Sequence, residues 1–101
     1  MRVISETSQY ILTEYGGYHL KYELVEHTSS CEEDPEIFYG IRICQIEERD
    51  RRVFDFCHIR GITEELEAAR HFFRMVVEGL VMPVSLPDLI DDWQSSPAYS
   101  H

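Results

Sequence analysis

Basic residues are scarce in this chain: nine lysines and arginines stand against nineteen aspartates and glutamates, a formal net charge of −10 over 101 residues. A polyanion is repelled by phosphate backbones, so nucleic acid and anionic membrane are poor partners and a basic protein surface suits it better. The same charge also keeps a protein soluble with no partner at all. Long apolar runs are missing too, none approaching the roughly 20 residues that cross a bilayer. The opening MRVISETSQY lacks the charged, apolar and small-residue succession of a secretory signal, and the expected location is the cytoplasm. Cys31, Cys44 and Cys57 are odd in number and include no C-x-x-C pair, which fits neither a disulfide framework nor a zinc ribbon. Reduced cysteines acting as small buried hydrophobes are expected.

The usual signatures of chemistry are absent as well. There is no G-x-S-x-G elbow, and Cys57 beside His58 is only a sequence neighbour, since adjacent strand residues point to opposite faces. A phosphate cradle needs a glycine-rich loop before a helix, whereas the strongest helix here opens RGITEE, with acids that repel phosphate. Five histidines, His19, His27, His58, His71 and His101, form no H-x-x-x-H arrangement, and His27 with Cys31 is the nearest approach to ligand spacing. The runs Glu32-Glu33-Asp34 and Glu64-Glu65 read as solvated faces. No catalytic residue, cofactor or metal site is predicted, and no internal repeat is present.

What the chain does contain is a folding pattern. Hydrophobic residues make up 44% and charged residues 28%, the balance of a single soluble domain, placed at residues 1–94 with a tail over 95–101. From Ile62 to Leu80, the positions Ile62, Leu66, Ala69, Phe73, Val76 and Leu80 recur at helical spacing, widened by Phe72 and Val77. Thr63 is placed to cap this helix and Gly79 to end it in the left-handed conformation. Before it come strand patterns: an irregular one over 2–14, then Gly16-Gly17 as a hairpin turn, then Tyr18, Leu20, Tyr22 and Leu24 alternating with polar neighbours. After a polar loop over 28–36, Ile37, Tyr39, Ile41 and Ile43 line one face of the next strand, with Gly40 marking a bulge or a close approach. The last strand carries Phe54 and Phe56 on one side, and the reading sets Phe56 opposite Ile43, with Cys44 facing Asp55. Ser85-Leu86-Pro87-Asp88 opens a short second helix with Leu86, Leu89, Ile90 and Trp93 on its apolar side. The expected fold is α+β: an antiparallel meander of three or four strands with the long helix across one face and the short C-terminal helix beside it.

Tyr39-Gly40-Ile41 and the closing VMPVSLPDLIDDW carry a resemblance. With Val81, Pro83, Val84, Leu86, Asp88, Leu89, Asp92 and Trp93 in place and Met82 at a variable position, residues 18 to 93 resemble a family of small bacterial proteins of unknown function, whose closing motif reads V-x-P-V-x-L-x-D-L/V-x-x-D. The resemblance implies a strand meander, a helix and a short acidic closing helix. It implies no activity and no site residues.

Three functional classes follow. The leading one is a protein-interaction or regulatory module, because the sheet face away from the helix is apolar for a solvated surface. Val25, Phe38, Ile46, Val53 and Ile59 are placed there and Trp93 on the closing helix, offering a seat for a protein partner or for a second copy in a homodimer, there or along an edge strand. The alternative is a small-ligand binder with a pocket between helix and sheet lined by Tyr18, Tyr22, Tyr39 and Phe73. An enzyme using Cys57, His58 or a carboxylate is the third, and it requires a concave site beside one of them.

Overall fold

The computed structural model describes residues 1–29 and 35–95. Four strands, β1 (Arg2–Thr13), β2 (Gly16–Thr28), β3 (Ile37–Glu47) and β4 (Val53–Thr63), form one antiparallel sheet in the order β1-β2-β3-β4. Helix α1 (Leu66–Glu78), a 3₁₀ turn (Pro83–Ser85) and helix α2 (Leu86–Gln94) follow. The α+β meander is the expected one, although α1 is 13 residues rather than the 19 read from periodicity. Cys31 and residues 96–101 of the predicted tail lie outside the described residues.

The core is the sheet face bearing Tyr18, Leu20, Tyr22 and Leu24 of β2 and Tyr39, Ile41 and Ile43 of β3, all buried. Ala69, Phe72, Phe73 and Val76 of α1 and Leu86 and Ile90 of α2 cover it. Trp93 packs tilted against Phe72, with ring centroids 4.6 Å apart, and the Gln94 side-chain amide donates to the Ile62 carbonyl, so the apolar side of α2 is spent on its own domain. At about 1.5 Å per residue α1 is about 20 Å long, against about 40 Å for the 12-residue β1, so one helix cannot span the sheet. It packs over β2, β3 and β4 and reaches β1 through the Gln9 side-chain amide, which donates to the Val77 carbonyl. Among the described residues no helix is long and apolar enough to cross a membrane.

Four local expectations change. Ile62 and Thr63 end β4 rather than begin α1; Thr63 Oγ1 instead accepts from the Glu65 N–H at 3.1 Å in the connection. The helix stops in a Schellman arrangement, Val81 N–H to Val76 O and Leu80 N–H to Val77 O, but Leu80, not Gly79, takes the left-handed conformation (φ 52°) while Gly79 stays right-handed. The first hairpin turns at Glu14-Tyr15, with positive φ only at Gly16; Gly17 serves another purpose, leaving room for Tyr10, whose hydroxyl donates to Glu48 Oε2 at 2.8 Å. Finally, Cys57 pairs with Ile43, Phe56 with Cys44 and Asp55 with Gln45, one residue from the expected register. Ile59, opposite Ile41, therefore packs against the core instead of lying on the outer face, and Phe56 turns outward. The compact aliphatic and thiol side chains fit beneath α1, and an irregularity between Gln45 and Ile46 lets Phe54 reach Tyr18.

Candidate interaction surface

The face of the sheet that α1 leaves uncovered is read in rows across the four strands. Glu6, Glu23, Arg42 and His58 form one row, Ser8, Lys21, Cys44 and Phe56 the next, and Tyr10, His19, Ile46 and Val53 a third, beside the hairpin turns. This outer face divides into two zones.

The first zone is closed by its own side chains. Val25 is fully buried between Val3 and Gly40 in register, and Glu23 and His27 are buried beside it. Arg42 donates from Nε and Nη2 to the two Glu23 carboxylate oxygens at 2.7 and 2.9 Å, and this guanidinium holds the Glu23 carboxyl below the usual carboxylate range. His27 and His58 sit on strands that are not neighbours, yet their Nε2 atoms are 3.2 Å apart. Gly40 lies between them on β3 with no side chain to separate the rings. Phe38 stacks on His27 and Phe56 meets His58 edge-on. Loss of hydration lowers the pKa of both imidazoles; next in weight are His58 acting on His27, and Arg42 acting on His58.

The contact needs one bare Nε2 to accept from the other ring, so a doubly charged pair breaks it. A pH dependence follows. The folded chain binds fewer protons at these rings than the unfolded chain, so their contribution is complete above the ordinary histidine pKa of 6.5 and is lost as pH falls below it toward the depressed folded values. Urea unfolding should show a lower midpoint at pH 5.5 than at pH 7.5, and His27→Phe should flatten that difference. An unchanged slope in the variant would assign the acid sensitivity elsewhere.

The second zone is open. Tyr10, Val53 and Phe56 are 49, 60 and 52% exposed, with Leu12 at the margin and Ile46 half-buried among them. Of the residues expected to form an interaction surface, Ile46 and Val53 thus lie together here and Phe38 on the closed zone of the same face, whereas Ile59 and Trp93 pack into the core. Tyr10, Leu12 and Phe56 are not among those expected residues, because the irregular pattern over 2–14 hides the alternation of β1 and β4 pairs one residue from the expected register.

The four residues expected to line a pocket, Tyr18, Tyr22, Tyr39 and Phe73, are all buried in the core between sheet and helix. Tyr22 is fully buried, its hydroxyl donates to the Val81 carbonyl at 3.1 Å, and burial pushes its pKa up to about 12. The space beside Tyr39 and Phe72 does not admit a water molecule, and Tyr18 is covered by Phe54. A cleft of about 320 Å³ does exist between β1 and α1, lined by Ser5, Thr7, Leu24, Arg70, Phe73, Arg74, Val77 and Glu78, and Phe73 alone is common to both sets. Cys44 and Cys57 are free thiols on opposite faces, and burial pushes both pKa values up, away from a reactive thiolate. Among the described residues no group of three or more metal-binding side chains assembles.

The chain belongs to a family of unknown function (DUF6514), which matches residues 1–96. No curated protein and no solved structure matches it.

Proposed function

We propose that this member of a family of unknown function is a small interaction module that seats a protein partner on the open zone of its outer sheet face. The observation that carries the reading is the exposure of Val53 and Phe56 on β4, and of Tyr10 across the same face on β1, on a sheet that its own helices cover on one side only. A solvated sheet face normally alternates to polar residues, and here β4 offers valine and phenylalanine instead. Aromatic and branched side chains held by strands bury area with little loss of freedom, which is what a contact surface needs. Around them Lys21 and the exposed turn residues Arg49, Arg51 and Arg52 supply a charged rim. The same turn also carries Glu47, Glu48 and Asp50, and Lys21 lies 3.8 Å from the Glu6 carboxylate, so the rim is of mixed charge and the apolar centre selects the partner.

Val53→Asp with Phe56→Asp tests this, since both side chains are more than half exposed and the fold should tolerate the change. Size measurement in solution and affinity capture from the native cell are expected to show one specific partner, or a second copy, with the original chain and at least tenfold less with the double variant. Identical capture by both proteins at equal thermal stability would remove this face from the interaction.

A further inference from the structure

The two edges of the sheet are treated differently. β4 is interrupted twice against β3, carries the 3₁₀ turn and α2 along its core side, and has its Ile62 carbonyl taken by Gln94. Such an edge is a poor template for another strand. β1, in contrast, has one irregularity between Val3 and Ser5 and then runs in unbroken register from Ser5 to Thr13, with no proline and no lysine to spoil it. Among the described residues no strand pairs with its outer side. Beside it lies the cleft under α1. The Gln9 side-chain amide closes one end by donating to the Val77 carbonyl, and from there the cleft continues toward Ser5 on the strand and Arg70 on the helix.

An unpaired strand edge flanked by a helix across a cleft is the arrangement in which an extended peptide adds to a sheet and places alternate side chains against the helix. We infer that the groove between β1 and α1 takes an extended segment of a partner protein as a fifth strand, with acidic side chains facing Arg70 and Arg74. Two observations select acids. Neither arginine makes an ion pair among the described residues, in a chain with twice as many acids as bases. Their spacing also fits: positions four apart on a helix are separated by about 6 Å along the axis, and alternate residues of a strand by about 6.6 Å, so a segment with acids at every second position presents one carboxylate to each guanidinium. Glu78, at the Val77 end of the cleft, repels a third acid there and so favours one orientation. A second copy of this chain is the wrong occupant: the β1 residues on the cleft side, Ser5, Thr7, Gln9 and Ile11, include no acid to face Arg70 and Arg74.

The inference is independent of the outer-face reading. It is tested with fluorescent decapeptides that alternate valine with glutamate, lysine or glutamine, measured by anisotropy against the full chain. The glutamate peptide should bind at least tenfold more tightly than the lysine peptide and protect alternate amides of β1 from hydrogen exchange. Arg70→Glu with Arg74→Glu should reverse the order of the peptides, and Arg70→Gln with Arg74→Gln should level it; both arginines are exposed, and Val53→Asp with Phe56→Asp should leave the binding unchanged. Equal affinity for all three peptides overturns the inference, as does protection confined to other strands. So does a dimer whose β1 amides are protected before peptide is added, or displacement of the peptide by glutarate at the same concentration, which would make the groove a small-anion site.

Discussion

Gly40→Ala is expected to lower the free energy of unfolding by about 3 kcal/mol, and urea denaturation followed by circular dichroism measures it. Ile41 pairs with Ile59 and Tyr39 with Thr63, so Arg60, Gly61 and Ile62 all lie against Gly40 alone. The extra residues bend β4 inward, and a Cβ at position 40 would stand 2.2 Å from the Ile59 carbonyl oxygen and 2.4 Å from that of Arg60. Both are backbone atoms with no rotamer to escape into. The bulge also explains how Ile59 and Ile62, an odd number of residues apart, both reach the core. A stability within about 0.5 kcal/mol of the original would show that β4 can lose this bulge without penalty.

The second large effect belongs to Phe72→Ala, with an expected cost of about 3 to 5 kcal/mol. Phe72 is fully buried at the meeting of α1, α2 and β3, and Trp93 packs on its ring. Since Trp93 is the one tryptophan of the chain, its fluorescence reports the same site. The variant should show red-shifted emission in the native state as well as a lower urea midpoint. A lower midpoint with unshifted emission would mean that α2 holds its place without the ring and that the loss is cavity alone.

Periodicity exposed the meander and its covering helix because β2 and α1 alternate at clean spacings of two and of three to four: every one of Tyr18, Leu20, Tyr22 and Leu24 is buried, as are Ala69, Phe73 and Val76. Gly40 was legible as a bulge or close approach, and it is both. β4 was harder. Its two irregularities shift the alternation partway along the strand, and ranking residues by apolar size put Phe56 in the core where Cys57 fits. Gly79 pointed to the end of α1 within one residue, yet chain geometry gave the left-handed position to Leu80. The outer-face cluster was hidden for a different reason: His27 and His58 are 31 residues apart and meet only because the strand between them carries a glycine. The β1 groove likewise depends on where a short helix stops over a long sheet, a relation between lengths that no local pattern contains.

Connectivity of the sheet has one further consequence. Each strand pairs with the strand next to it in sequence, so hairpins can close early and in order as the polypeptide leaves the ribosome. Both helices come after the last strand. Until residues 66–94 emerge, Leu20, Tyr22, Ile41 and Ile43 face water on one side while Tyr10, Val53 and Phe56 do so on the other. The nascent protein thus passes through a bare, two-sided ribbon, the stage at which aggregation competes with completion of the native fold.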